Sequence, residues 1–180
     1  SNTVKSEMAL SPDEELIAFV AESGDAMDIW LFDLVTEEEI QLTFTEHDKG
    51  SMAFSPNGEQ IAFIQRNPGT AFDIMTIPVD GGQPRQRTTH SSGELDPSWI
   101  DDEQIAYTLR PTGSRRSLAV GSLEDERARS IITGGIASGR PQGSHLVFPN
   151  WPSDRSHVFY QIGWPDGPLM KRHMKSETVE

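Results

Sequence analysis

Ser55-Pro56-Asn57-Gly58-Glu59-Gln60-Ile61-Ala62-Phe63 is a phrase the chain has already used once, as Ser11-Pro12-Asp13-Glu14-Glu15-Leu16-Ile17-Ala18-Phe19. In both copies a polar turn built on Ser-Pro-Asx feeds a short apolar run, and Ile17 lies 44 positions before Ile61. A third copy, Ile100-Asp101-Asp102-Glu103-Gln104-Ile105-Ala106-Tyr107, puts Ile105 another 44 positions on. A fourth, Pro152-Ser153-Asp154-Arg155-Ser156-His157-Val158-Phe159-Tyr160, brings Val158 after 53. A second, independent register runs through Asp28-Ile29, Asp73-Ile74 and Ser117-Leu118, at intervals of 45 and 44. A period of about 40–45 residues with four strand-like runs in each marks the blades of a propeller.

In the first repeat, residues 1–7 are polar and read as a frayed start. Met8-Ala9-Leu10 then reads as an inner strand, followed by Leu16 to Val20, Ile29 to Leu34 and an outer strand at Ile40 to Phe44. The second repeat gives Met52 to Phe54, Gln60 to Ile64, Asp73 to Val79 and Pro84 to Thr89, with Asp80-Gly81-Gly82 as a hairpin turn. The third gives Pro97 to Trp99, Gln104 to Leu109, Ser117 to Val120 and Arg129 to Thr133. The fourth gives Pro149 to Trp151, His157 to Ile162 and Pro168 to Met174, and no outer strand follows. Glu37-Glu38-Glu39 and Glu124-Asp125-Glu126 lack a sustained apolar stripe of helical period, so both read as solvated turns. The expectation is an all-β chain, one segment over residues 1–180, with blades at about 8–44, 52–89, 97–133 and 149–174.

Fifteen basic residues against 28 acidic ones give a net charge of −13, which repels phosphate backbones and argues against nucleic acid as a partner. No apolar run is long enough to cross a membrane, and no basic-then-apolar leader opens the sequence, so neither insertion nor an export signal is expected. The absence of cysteine excludes disulfides, thiolate metal sites and a thiol nucleophile.

The phrase Met52-Ala53-Phe54-Ser55-Pro56-Asn57-Gly58-Glu59-Gln60-Ile61-Ala62-Phe63, with Asp73-Ile74-Met75 and Asp80-Gly81-Gly82 after it, resembles the WD40-like repeat of TolB-type β-propellers. The resemblance is closest in the first two repeats and faintest in the third, where Ile100-Asp101 replaces the Ser-Pro pair. It implies four antiparallel strands per blade around a central channel lined by the first strands. It also implies one of several roles: a periplasmic scaffold that binds protein partners, the gating domain of a prolyl-oligopeptidase-type peptidase, or the sensor domain of a membrane regulator. Such propellers usually have six or more blades, and about four are visible here. The expectation is therefore an open partial ring whose end blades offer surfaces for self-association.

Catalytic chemistry finds no foothold. No serine sits on a Gly-x-Ser-x-Gly elbow, Ser138 and Ser144 included. His47, His90, His145, His157 and His173 are scattered singly, without the spacing of a metal site. Asp25, Asp28 and Asp33 lack the central glycine and closing glutamate of a calcium loop. Asp28 and Asp73 instead read as residues that bond neighbouring backbone amides at a turn-to-strand junction. Phe54, Trp99 and Trp151 share one repeat position and read as wedges between blades; Lys171-Arg172-His173 reads as a solvated strand edge. Neither cofactor nor metal is expected.

In an up-and-down meander, the second-to-third turns and the connections between blades share one face. The connection after Thr133 is seven residues longer than its counterpart after Thr88, counting to Trp151 and Trp99. Loops on a rigid scaffold carry function in such folds. Arg140, His145 and Trp164, all on that face, are the expected contacts for a protein or peptide partner.

Overall fold

The computed structural model describes residues 5–68, 71–89, 93–109, 117–122, 129–132, 146–150, 156–162 and 169–173. Its first sheet comprises β1 (Lys5–Leu10), β2 (Leu16–Ser23), β3 (Ala26–Asp33) and β4 (Glu39–Gln41). The second comprises β5 (Lys49–Phe54), β6 (Gln60–Gln65), β7 (Asp73–Pro78) and β8 (Arg85–Gln86). The third holds β9 (Glu94–Trp99), β10 (Gln104–Leu109), β11 (Ser117–Ser122) and β12 (Arg129–Ile132); the fourth holds β13 (Leu146–Asn150), β14 (His157–Ile162) and β15 (Leu169–His173). Strands within each sheet follow chain order and every pairing is antiparallel. No helix occurs among the described residues.

The Ser-Pro-Asx turns explain why each inner strand folds back on the second. Ser11 Oγ donates to Asp13 Oδ1 at 2.5 Å, and Asp13 Oδ1 accepts the Glu15 amide at 3.1 Å. Ser55 and Asn57 repeat this at 2.7 Å, with the Glu59 amide at 3.0 Å. In the third sheet Asp101 Oδ1 accepts the Glu103 amide at 2.9 Å, so Asp101 holds the Asx position of a turn one residue shorter. Asp154, the expected fourth member, lies outside the described residues, as does Trp151. Neighbouring turns are joined, since the Asn57 amide donates to Asp102 Oδ1 at 2.9 Å.

The sheets pack face to face. Ala18, Ile29, Leu31 and Leu42 of the first meet Ile61, Phe63, Met75 and Ile77 of the second, with Met52 and Phe54 against them. Ala62, Ile64 and Ile74, on the other side of the second sheet, meet Trp99, Ile105, Tyr107 and Ala119 of the third. Fully burying one such side chain is worth roughly 1.5–3 kcal/mol. Trp99 is the expected wedge, and its Nε1 donates to the Ala53 carbonyl of the preceding inner strand at 2.9 Å. Of the four equivalent second-strand residues, Ile61, Ile105 and Val158 are buried, whereas Ile17 is only half-buried, no other sheet packing on that face of the first among the described residues.

Inner strands pack in succession, β1 on β5, β5 on β9, β9 on β13; no comparable packing joins β13 to β1 among the described residues. The fold is an open partial propeller. Its inner strands begin earlier than the apolar pattern indicates: β1 starts at Lys5, β5 at Lys49, β9 at Glu94 and β13 at Leu146. The pattern fails there because each of these strands carries a register shift. In three of them a non-glycine residue sits at positive φ in the shifted stretch, Glu7 at 49°, Ser51 at 38° and Asp96 at 52°. Outer strands are shorter than expected. After Gln41, the Leu42 and Thr43 amides both turn to the Ile29 carbonyl, which ends β4 before the exposed Phe44.

Candidate functional site

The turn between β2 and β3 and the connection from β4 to β5 frame an open groove of about 640 Å³, lined by Ser23, Asp25, Asp28, Gln41, Phe44 and Glu46 among others. Both segments belong to the face that gathers second-to-third turns and blade connections. Ser23 ends β2, and Gly24, at φ 67°, supplies the left-handed corner that brings the chain back as β3. Phe44 is 75% exposed, an apolar handle in an otherwise polar and acidic groove.

The floor of the groove is a polar brace. Asp28 Oδ1 accepts from Thr43 Oγ1 at 2.7 Å and from Lys49 Nζ at 2.7 Å, while Gln41 Nε2 reaches Asp28 Oδ2 at 3.2 Å. Thr43 Oγ1 in turn accepts the Ile29 amide at 2.9 Å, and Gln41 Nε2 donates to the Thr43 carbonyl at 2.8 Å and to Ser23 Oγ at 2.9 Å. Lys49 completes its donor set on the carbonyls of His47 at 2.5 Å and Thr45 at 3.1 Å. One carboxylate thus ties the third strand of one blade to the first strand of the next.

The next junction repeats the Asp, Gln and Thr and changes their neighbours. Ile74 donates its amide to Thr88 Oγ1 at 2.8 Å, and Gln86 Nε2 bonds Asp73 Oδ2 and the Thr88 carbonyl, each at 2.9 Å. Asn67 Nδ2 adds a bond to Asp73 Oδ2 at 2.7 Å. Glu94 occupies the position that Lys49 holds one repeat earlier, and Thr88 Oγ1 donates to its Oε2 at 3.1 Å. Burial, and then the Glu94 charge, hold the Tyr107 hydroxyl above its ordinary range.

Asp28 is structural, but its partners are side chains of the outer strand, of the connection after it and of the next blade, which corrects the expectation of neighbouring backbone amides there; Asp73 takes side chains of its own blade, Gln86 and Asn67. Asp33 does behave that way: the amides of Val35 and Thr36 donate to its Oδ1 at 2.8 Å each. No group of three or more histidine, aspartate or glutamate side chains placed to hold a metal occurs among the described residues. Arg140, His145 and Trp164 lie outside the described residues. The brace residues Gln41, Thr43 and Lys49 escape a reading by motif; their signal is the recurrence of Gln and Thr at Gln86 and Thr88.

No family model matches the chain. Over 103 residues it is 28% identical to an uncharacterised peptidase, YuxL, of Bacillus subtilis; the match takes in 57% of this chain and 15% of that protein. In structure it is similar to TolB from Acinetobacter baumannii, with a TM-score of 0.72, 19% identity, and coverage of 92% of this chain and 40% of that one. It is also similar to a puromycin-hydrolysing peptidase of Mycobacterium tuberculosis, with a TM-score of 0.69, 17% identity, and coverage of 94% and 29%. The chain therefore spans less than half the length of each of these proteins. At these identities the likeness establishes the fold, a TolB-like β-propeller.

Proposed function

We propose that this chain is one non-catalytic propeller segment that binds a protein or peptide partner on the face carrying its second-to-third turns and blade connections. The supporting observation is the groove between the β2–β3 turn and the β4–β5 connection. It is open and polar, rests on rigidly braced strand ends, and displays Phe44. Arg140 and His145 fall in sequence between β12 and β13, and Trp164 between β14 and β15; the proposal puts all three on that same face. Arginine and tryptophan are the residue types that most often anchor a protein interface.

Peptides selected from a random display library on the wild-type chain test this reading. The double substitution Arg140→Ala, Trp164→Ala should weaken their binding by about tenfold or more, a hot-spot-sized loss, with the melting temperature unchanged. Selected peptides that bind both chains equally would displace the proposal.

A second reading, the propeller domain of a serine peptidase, draws on the match to the Bacillus peptidase. It requires an α/β-hydrolase domain of roughly two hundred residues, with a Gly-x-Ser-x-Gly elbow, in the same polypeptide. Sequencing the whole gene separates the two.

A further inference from the structure

The groove on the loop face holds charge that nothing in its own chain balances. Asp25 lies in the β2–β3 turn and Glu46 on the β4–β5 connection; both line the groove and both are exposed. Neither carboxylate makes a hydrogen bond or ion pair among the described residues. Asp28, on the floor, is already neutralised by Lys49, whose enclosed ammonium uses its donors on Asp28 and on the carbonyls of Thr45 and His47. No lysine, arginine or histidine among the described residues lines the groove.

The next repeat shows that these side chains are not demanded by the blade. Asp28 and Asp73, Gln41 and Gln86, and Lys49 and Glu94 all stand 45 positions apart. At that offset Asp25, Phe44 and Glu46 correspond to Thr70, Thr89 and Ser91, so the second blade is built with a neutral polar residue at each place. Phe44, 75% exposed, belongs to neither core cluster. The walls that carry these residues are nonetheless fixed to each other, because the Met27 amide donates to Asp48 Oδ1 at 3.2 Å. Thr45, between Phe44 and Glu46, also lines the groove, and its Oγ1 is buried without a hydrogen-bond partner.

We propose that the groove takes an arginine side chain of the peptide or protein partner, its guanidinium stacked on the Phe44 ring with Asp25 and Glu46 as counter-charges. This rests on the reading of the loop face as a binding surface and adds the chemistry of what binds there. A guanidinium is flat, weakly hydrated and rich in donors, so it can lie on an exposed ring while bonding to carboxylates beside it. A lysine ammonium is compact and strongly hydrated, and gains less from the ring. A metal ion is a poorer occupant, because no group of three or more acidic or histidine side chains placed to hold one occurs among the described residues. The net charge of −13 draws cationic segments toward the chain, and the groove gives one of them a defined place.

The probe is acetyl-Gly-Arg-Gly-amide, titrated into the full chain at low salt and followed by nuclear magnetic resonance. Saturable shifts are expected at the amides of the β2–β3 turn and the β4–β5 connection. Asp25→Asn with Glu46→Gln should weaken binding by about tenfold or more at an unchanged melting temperature, since neither carboxylate has a partner to lose. Phe44→Ala should weaken it by about two- to fivefold, the range of a cation–π contact at an exposed site. The citrulline peptide, which keeps the shape and loses the charge, should bind about tenfold or more weakly, and the lysine peptide should also bind more weakly. No saturable shifts in the groove, equal binding of the citrulline or lysine peptide, or indifference to the Asp25 and Glu46 substitutions would each overturn the proposal. Arg140→Ala with Trp164→Ala should leave the affinity for the probe unchanged. Library peptides that depend on Arg140 and Trp164 but ignore Asp25 and Glu46 would therefore overturn this site and leave the loop-face reading standing. Library peptides that ignore that pair yet compete with the probe would uphold this site alone.

Discussion

Lys49 Nζ lies 2.7 Å from Asp28 Oδ1, and the two side chains are 0% and 3% exposed. Each charge is tolerable there only because the other is present and the remaining donors and acceptors are satisfied. Lys49→Met should therefore destabilise the junction of the first two sheets by about 3–5 kcal/mol, and Lys49→Met with Asp28→Leu should recover much of the loss. Urea unfolding of the two variants measures both.

Ile17 and Ile61 hold the same repeat position, yet only Ile61 is fully enclosed. Ile61→Ala should cost about 2–5 kcal/mol, the range for a buried isoleucine that leaves a cavity. Ile17→Ala should cost about 1 kcal/mol or less, because a half-buried side chain gives up less buried area. Equal costs in denaturant titrations would contradict the packing described.

Glu14 and Gly58 also correspond, with φ of 63° and 75°. A glutamate there bears the clash between Cβ and backbone that glycine escapes. Glu14→Gly should raise stability by about 0.5–1 kcal/mol, read as a higher urea midpoint, since the same turn in the second repeat already works with glycine.

Asp13 and Asp33 titrate below the ordinary carboxylate value of 3.8, Asp13 because of the Ser11 hydroxyl and then the Glu15 amide, Asp33 because of the Thr36 and Val35 amides. A depressed folded-state value means that their contribution is fully present above the unfolded value and is lost as pH falls through the folded one. Thermal stability should therefore decline with acidification below pH 3.8. Asp13→Asn should keep the turn, as Asn57 does, while flattening part of that decline.

The second strands and the turns before them were legible because they follow simple rules: alternation broken by Ser-Pro-Asx, with Ile61 and Ile105 at one spacing. The opening halves of the inner strands were not. Lys49-Gly50-Ser51 reads as loop, yet Lys49 belongs to the brace and Ser51 to the register shift, and neither role requires an apolar residue. Asp28 was legible as structural by its recurrence at Asp73, but its partner Lys49 was not, because the next repeat places Glu94 there. Asp101 was hidden by the loss of the Ser-Pro pair, although its carboxylate keeps the role of Asp13 and Asn57.

The left-handed residues of the inner strands have a consequence for solubility. Each of β1, β5 and β9 pairs on one side only, with β2, β6 and β10, leaving the other side as a row of amides and carbonyls that a foreign strand could extend. At Glu7, Ser51 and Asp96 the backbone leaves the extended conformation, and the Ser51 amide is already taken by the Glu7 carboxylate. An incoming strand would meet a kink and a carboxylate where it needs a straight ladder. Local strain in the inner strands thus guards the axis of an unclosed ring against templated aggregation, and regularising the bend would remove that guard.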